Sequence, residues 1–471
     1  MRQVHRIDRQ RRKLLKGLAA LPALSGVSLL AGAPSLSRAA DCGGARSLVC
    51  LFLAGGADSF NILVPGGSRF EEYRATRNEL AVDESALLEV SDARYGSLGF
   101  NAQLPAFQRL YARGDLAVVS NLGTLIQPTS RSDYLSSVAL PQALFAHNTQ
   151  QKLWQTGAGI VNGANAFGWG GAISSHAGNC NGSINVAPAF SIAGRSDFLA
   201  SSDTNYISLN AGYAIERMFG HDYISDWIPV QRLQRMDGTL DSLIGAATAE
   251  GNPYLLRGIG ASVRRAADAT ASLHSAFTNH PLDNMRYDGN NRLASQLHLV
   301  ARLIAAREEL GMQRQVFFVQ MDGWDTHSDQ LERMPALFAG LDEAVGAFQD
   351  AIDSLNAADS VTTFTASDFG RTLTSNGNGT DHGWGGHSFV FGGAVAGGQL
   401  YGELPSLAAN DNPDDAGEDD GSFAGRIIPQ LSVTQYAATL ARWMGMDEAA
   451  IDTALPDLAN FTERDIGFMA S

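Results

Sequence analysis

The stretch VFFVQMDGWDTH, residues 316–327, passes from a continuous apolar run into two aspartates, a tryptophan and a histidine. An apolar run without alternation is typical of a strand buried on both faces, as in a parallel sheet. The acidic and imidazole side chains that follow it would then lie at the carboxyl end of that strand. In open α/β sheets this is the edge where ligands bind. The stretch therefore predicts a fold class and also the place of a functional site.

Two other apolar runs end in the same way. SLVCLFLAGGAD (47–58) leads to Asp58, and VTTFTASDFGRT (361–372) leads to Asp368. Between such runs lie segments with helical spacing of apolar residues, such as NRLASQLHLVARLIAAREELG (291–311). Strands that alternate with helices predict an α/β fold with a mainly parallel sheet and helices on both faces. We expect one domain over residues 41–471, with a largely helical insertion at about 135–310.

The first 40 residues predict a cleaved export signal. Arg11 and Arg12 precede an apolar segment, and Ser37-Arg38-Ala39 offers a small-x-small cleavage site. The apolar run at 14–30 is interrupted and falls short of the roughly 20 apolar residues that a stable span needs. We therefore expect a twin-arginine signal, the twin-arginine export machinery as a partner, no stable membrane span after cleavage, and a periplasmic or secreted protein.

The charge of the chain argues against one class of partner, and its cysteine content limits the number of disulfides. The chain has 49 acidic and 34 basic residues, and the part after residue 40 retains 48 and 26 of them. Nucleic acid is thus an improbable partner, because phosphate binding depends on clustered Lys and Arg. Cys42, Cys50 and Cys180 allow one internal disulfide in an oxidising compartment, and the sequence leaves its pairing open.

Several side chains predict a metal site at the strand ends. Carboxylates gathered at one edge repel one another unless a cation lies between them. Asp325 and His327 are two residues apart in one loop, and the glycine-rich TDHGWGGH (380–387) adds His382 and His387. Imidazole with carboxylate is typical of zinc, manganese or iron, whereas oxygen alone favours calcium. We expect a divalent ion, with zinc, manganese and calcium as candidates; the alternative is that these residues are helix caps and loop histidines.

Five motifs and the leader carry a family resemblance. LFLAGGADSFNILVP (51–65), LFAHNTQQKLWQTG (144–157), MDGWDTH (321–327), TASDFGRT (365–372) and GTDHGWGGHSFVFGGAVAGGQLYG (379–402), together with the leader, resemble the bacterial exported family called domain of unknown function 1501. That family is similar to the alkaline phosphatase and sulfatase superfamily. The resemblance implies an alkaline phosphatase-like core with one or two metals at the carboxyl edge of its sheet.

The resemblance also implies individual metal ligands. Asp58 matches the aspartate after the first strand, and Asp325 with His327 resembles an Asp-and-His pair on a later strand, although at shorter spacing. Asp368 matches a further ligand.

One position departs from the superfamily pattern. Phe369 stands where a ligand histidine is expected after Asp368, so a full two-metal site is in doubt. His382 is a candidate to substitute for that histidine, and His387 would be the last histidine of the set.

The nucleophile is the remaining element of the superfamily site. The candidates are Thr129, Ser130 and Ser132, which follow a strand at a helix start. A capping role competes, because Ser130 and Asp133 have the spacing of a capping box. His147 is expected either to line the pocket or to pack on a helix face.

The function implied is an exported metal-dependent hydrolase of phosphate or sulfate esters, with a small-molecule or glycan ester as substrate. The alternative is a non-catalytic exported binding or surface protein that retains part of the metal site.

Overall fold

A computed structural model describes residues 42–160, 167–181, 186–211, 229–417 and 425–470. The predicted export signal, residues 1–40, lies outside these residues. The strands are β1 (Arg46–Leu53), β2 (Leu63–Pro65), β3 (Leu88–Asp92), β4 (Gly96–Phe100), β5 (Leu116–Gly123), β6 (Ala189–Ser191), β7 (Ile207–Ser208), β8 (Arg314–Met321), β9 (Val361–Ser367), β10 (Arg371–Ser375), β11 (Thr380–His382), β12 (Gly386–Phe391), β13 (Leu400–Tyr401) and β14 (Leu431–Ser432).

The helices of the described residues are numbered in chain order. They are α1 (Ser68–Arg77), α2 (Pro105–Arg113), α3 (Arg131–Leu135), α4 (His147–Thr156), α5 (Trp169–Ala177), α6 (Val230–Thr248), α7 (Tyr254–Asn279), α8 (Arg292–Ala305), α9 (Gln330–Ser354), α10 (Val433–Trp443) and α11 (Glu448–Ala454). Within the described ranges, none of these helices is both long and apolar enough to cross a membrane.

A nine-stranded sheet forms the centre of the molecule, in the order β13-β5-β12-β9-β1-β8-β6-β7, with β14 also paired to β5. Its strand pairs are parallel except for those of β12, which runs antiparallel to β5 and β9. The predicted α/β class with a mainly parallel sheet is confirmed. Because β12 is reversed, its first residues lie at the edge where the other strands end.

Both faces of the sheet are covered, as a strand buried on two sides requires. Along β1, Val49, Leu51 and Leu53 belong to one hydrophobic cluster, which includes side chains of α2, α8 and α9. The alternate residues of β1 pack in a second cluster with side chains of α5 and α10. Since successive side chains of a strand point to opposite faces, the continuous apolar run follows directly from this two-sided packing.

The region predicted as a helical insertion also contributes to the sheet. Besides helices α4 to α8, it contains β6 and β7, and β6 pairs with β8 over Ala189–Ser191. These short strands extend the sheet beyond β8, so this segment is part of the central layer.

A disulfide joins Cys42 to Cys180. It connects the segment that leads into β1 to the turn after α5, 138 residues later. Cys50 is a free, buried thiol within β1. The pairing that the sequence left open is therefore Cys42 with Cys180, which is consistent with an oxidising compartment.

Candidate metal centre

Three side chains from separate parts of the chain bring metal-ligating atoms together. They are His147, the first residue of α4, Asp325, in the loop after β8, and His382, the last residue of β11. One ligand atom of each lies within 4.8 Å of the others. The hairpin of β10 and β11 positions His382, because Arg371 and His382 are register partners in it.

His327 adds a fourth donor to this group. Its Nε2 is 2.9 Å from Nε2 of His382 and 3.1 Å from Oδ1 of Asp325. Nε2 of His382 and Nε2 of His147 each lie 3.5 Å from a carboxylate oxygen of Asp325. Ligands about 2.0–2.1 Å from a tetrahedral zinc ion are about 3.3 Å apart. The spacing of His147, Asp325 and His382 fits such an ion, and His327 lies against two of these three side chains. We call the four residues the donor cluster.

The opposite nitrogen of each ring faces a hydrogen-bond acceptor. Nδ1 of His147 donates to Asp368 at 2.6 Å, and Nδ1 of His327 donates to Asp381 at 2.9 Å. Nδ1 of His382 donates to the carbonyl oxygen of Phe145 at 2.8 Å. In the neutral ring this leaves the lone pair on Nε2, directed into the cluster. A carboxylate or carbonyl behind each histidine is the usual arrangement around a bound metal.

The contact between His327 and His382 brings two ring nitrogens together that need a positive charge between them. Both Nδ1 atoms carry their protons toward acceptors, so two Nε2 lone pairs would face each other across 2.9 Å in the neutral rings. Either a proton on one of these nitrogens or a cation between them is needed to relieve this repulsion. The donor cluster therefore offers a site for a divalent ion.

Arg371 fixes the orientation of the carboxylate. Its fully buried guanidinium donates to Oδ1 of Asp325 at 2.8 Å and to the carbonyl of Gly55 at 3.3 Å. Partial burial of Asp325 favours its protonated form, but the hydrogen bond from Arg371 and the nearby positive charges outweigh it and lower the pKa of this carboxyl. Asp325 is therefore ionised at neutral pH and able to bind a cation.

The histidines differ in their affinity for a proton. The hydrogen bond to Asp368 raises the pKa of His147, against the opposing effect of partial burial. Burial is the main cause that lowers the pKa of His382. His382 is thus available as a neutral ligand, whereas a metal at His147 competes with a proton.

The turn after β1 places the donors close to the sheet. Gly55 has φ of 120°, and a Cβ on it would lie 2.4 Å from the backbone nitrogen of Asp325. Its own N–H donates to Oδ1 of Asp368 at 3.1 Å. Only glycine allows this close approach of the loops that follow β1, β8 and β9.

Asp58, which the resemblance implies as a ligand, lies in a buried ion pair beside the cluster. Its Oδ2 accepts hydrogen bonds from Arg77 and, at 2.6 Å, from Gln330. Its Oδ1 has no hydrogen-bond partner among the described residues. Asp58, like His327, lies outside the group of His147, Asp325 and His382 in the described chain, but unlike His327 it makes its hydrogen bonds to Arg77 and Gln330.

Two other predicted ligands lie behind or away from the donors. Both oxygens of Asp368 are engaged, one with Gly55 and the other with His147 and Gln151. The ring of His387 packs on Phe60, and its Nδ1 is 3.3 Å from Oγ of Ser120. Burial lowers the pKa of His387 to about 4, so this ring is neutral.

The candidate nucleophiles are occupied by local hydrogen bonds at the start of α3. Ser130 forms a capping box with Asp133, as the alternative interpretation predicts. Ser132 Oγ is 2.8 Å from Ser130 Oγ, and Thr129 donates to the carbonyl of Gln127 at 3.0 Å. Among the described residues these three hydroxyls make no hydrogen bond to the donor cluster.

Sequence reasoning missed two participants, Arg371 and Asp381, and left His147 undecided between pocket and packing. Arg371 and Asp381 each stand close in sequence to a predicted ligand, Asp368 and His382. This closeness in sequence to predicted ligands is the signal that could have identified Arg371 and Asp381. The position of His147 depends on where α4 docks against the sheet, which no local pattern indicates.

Comparisons with known proteins find one family model, and the solved structures that they find include the two described below. Residues 252–420 match the model of the family described as "Protein of unknown function (DUF1501)", which confirms the predicted resemblance over that segment. No curated protein matches the chain. The PsFucS1 sulfatase from Pseudoalteromonas sp. is 10% identical, with a TM-score of 0.31 over 77% of this chain and 65% of the sulfatase. Ps i-CgsB, in complex with k-i-k-neocarrahexaose, is 11% identical, with a TM-score of 0.30 over 86% of this chain and 72% of its own.

Proposed function

We propose that this protein is an exported, divalent-metal-dependent hydrolase of phosphate or sulfate esters. The observation that carries the proposal is the convergence of three histidine Nε2 atoms on the Asp325 carboxylate, each ring backed by an acceptor at Nδ1. Imidazole-rich sets with one carboxylate favour zinc, with manganese as an alternative. Calcium, which prefers oxygen ligands, fits this donor cluster poorly.

The chain's own residues divide into those that would hold the ion and those that orient them. His147, Asp325, His327 and His382 would bind it. A bound divalent ion supplies Lewis acidity that polarises a phosphoryl or sulfuryl oxygen. Asp368, Asp381 and the Phe145 carbonyl fix the histidine rings, and Arg371 fixes Asp325.

Water is the nucleophile that we propose. The hydroxyls of Thr129, Ser130 and Ser132 are engaged in capping or turn contacts at the start of α3. In the hydrolysis, the water oxygen bonds to phosphorus or sulfur, the bond to the ester oxygen breaks, and the departing alcohol takes up a proton. No covalent intermediate on the chain is needed.

The proposed location is the periplasm or the exterior of the cell, reached through the twin-arginine machinery. The disulfide between Cys42 and Cys180 supports this part of the proposal, because structural disulfides persist in oxidising compartments. The arginine pair at residues 11 and 12 lies outside the described residues and remains a sequence-based prediction.

A non-catalytic binding or surface protein is the second candidate. The observation in its favour is Phe369, whose ring lies 4.9 Å from that of His147 and 4.5 Å from that of His382, at a position where the resemblance predicts a ligand histidine. In such a protein the donor cluster would bind an ion without turnover.

Elemental analysis combined with a substrate screen distinguishes the two. The wild type, Asp325→Ala and Asp322→Ala would be assayed for metal and for turnover of aryl phosphates, phosphodiesters and aryl sulfates. Asp322 is the matched control, since it is an exposed aspartate of the same loop whose hydrogen bond is to Gln320. We expect stoichiometric metal and turnover in the wild type and control, and loss of both in Asp325→Ala. Metal without turnover would favour the binding protein, and absence of stoichiometric metal would refute the proposed hydrolase.

A further inference from the structure

A wide polar cleft lies at the carboxyl edge of the sheet and takes no part in holding the proposed ion. It is bounded by the ends of β6 and β8, by the start of α8 and by one face of α9. Its volume is about 1390 Å³. Sites for single small molecules usually measure about 300–1,000 Å³, so this cleft has room for a longer ligand.

The polar groups that line the cleft are held in fixed orientations. Nε2 of Gln296 donates to the carbonyl of Gln320 at 2.8 Å, and the N–H of Gln320 donates to Oε1 of Gln296 at 3.0 Å. Glu343 accepts hydrogen bonds from Nδ2 of Asn291 at 2.8 Å and from the N–H of Asp288 at 2.7 Å. Groups that are already ordered lose little conformational freedom when a ligand binds.

Two features leave the cleft accessible to a ligand. Arg292, the first residue of α8, is exposed and forms no hydrogen bond or ion pair with the described part of the chain. On the side of α9, the cleft is lined by the small residues Ala336, Ala339 and Gly340. A ring can lie flat against such residues, while the guanidinium of Arg292 donates to the polar groups at its edge.

The cleft and the donor cluster are connected by one loop. Met321, which lines the cleft, is the last residue of β8, and Asp325 follows four residues later. Their Cα atoms are therefore no more than about 14 Å apart. Arg333 fixes the loop between them by donating to the carbonyls of Gly323 at 2.8 Å and Asp325 at 3.2 Å. A molecule with its ester group at the donor cluster can thus extend into the cleft.

We infer that the cleft binds a neutral oligosaccharide, as the alcohol portion of the ester that the donor cluster hydrolyses. This inference rests on the proposed function. Each sugar hydroxyl both donates and accepts hydrogen bonds, and so pairs with a lining of amides, carboxylates and a guanidinium. A polyanion fits poorly, because the carboxylates of the cleft outnumber its one arginine. An aryl or alkyl group would leave these polar side chains unpaired.

The test measures binding of maltotriose, cellotriose and triacetylchitotriose by saturation-transfer difference NMR on chelator-treated full-length protein. The variants are Ala339→Trp, which fills the cleft, and Arg292→Met, which removes the guanidinium. Ala266→Trp is the control, because it places the same ring at an exposed alanine of α7. Circular dichroism of each variant verifies that it is folded.

We expect at least one of the three trisaccharides to bind the wild type and the control with a saturable signal. Its affinity should fall by about tenfold or more in Ala339→Trp, since the indole takes up the space of the ligand. In Arg292→Met the affinity should fall by about fivefold or more, since a charged hydrogen-bond donor is lost.

Absence of binding of all three trisaccharides to the wild type, or equal affinity in the folded Ala339→Trp variant and the control, would overturn the inference. The measurement needs neither metal nor turnover, so it is independent of the test of the proposed function. Binding by a protein that hydrolyses no ester would refute the hydrolase and leave an oligosaccharide-binding cleft. Turnover of aryl esters without trisaccharide binding would retain the hydrolase and refute the ligand of the cleft.

Discussion

Replacement of Arg77 by leucine should strongly destabilise the protein. Arg77 and Asp58 form an ion pair in which the side chains are 0% and 2% exposed. Arg77 also donates to the carbonyl of Thr372 at 3.0 Å. Removing the guanidinium would leave the Asp58 carboxylate buried and without its counter-charge. Breaking one side of such a pair costs about 3–5 kcal/mol, which we expect as the loss in free energy of unfolding.

A double variant isolates the contribution of the ion pair between Arg77 and Asp58. In Arg77→Leu/Asp58→Asn the buried charge is removed, and the amide oxygen can still accept the hydrogen bond from Gln330. We expect the double variant to recover about 1–3 kcal/mol of the loss. Arg74→Leu serves as the control, because Arg74 pairs with Glu71 at an exposed position of the same helix, α1. Exposed pairs of this kind contribute little.

Urea unfolding followed by tryptophan fluorescence, with refolding verified, provides the measurement. Metal content of Asp58→Asn provides a second one. A loss of less than about 1 kcal/mol in Arg77→Leu, or no recovery in the double variant, would refute a structural pair at Asp58. Loss of metal from Asp58→Asn would restore the ligand role that the resemblance implies.

Three further outcomes are expected. Substitution of Cys42 and Cys180 by serine should lower the free energy of unfolding by about 2–5 kcal/mol, since the bridge closes a long loop; an unchanged urea midpoint would contradict this. Burial raises the pKa of Asp342 to about 6. The folded state therefore binds this proton more tightly than the unfolded state, and the stability from this carboxyl falls as pH rises. Relative to Asp342→Asn, the wild type should lose about 1 kcal/mol between pH 5 and pH 7, measured by urea unfolding at both pH values, and parallel profiles would refute it. Gly55→Ala should reduce metal binding, because the added Cβ meets the backbone of Asp325; unchanged metal content would contradict the close approach.

The fold class was accessible from sequence because two-sided burial leaves a direct trace. Strands β1 and β8 contain continuous apolar runs, β9 is buried but rich in threonine, and each of the three is followed by an acidic residue. The reversed direction of β12 left no such trace, since a buried strand has the same composition in either orientation. That direction is set by its pairing with β5 and β9.

The candidate site was accessible in part. Asp325, His327 and His382 stand in one donor cluster, as their positions after strands and in a glycine-rich loop predicted. Which carboxylates face the cluster depends on their partners. Asp58 meets an arginine that lies 19 residues later on another element, and Asp368 meets the ring of His147. Such pairings arise from tertiary packing and have no periodicity in the sequence.

The solvent accessibility of the donor cluster bears on which metal ion would bind there. The side chains of Asp325 and His327 are 45% and 43% exposed, so the proposed ion would lie at a site that is partly open to solvent. A cation in such an open location exchanges readily with its surroundings. For nitrogen and oxygen donors, copper outcompetes zinc at equal availability. The occupant would thus be decided by the supply where the chain folds and works, and samples prepared from different growth media should differ in their bound element.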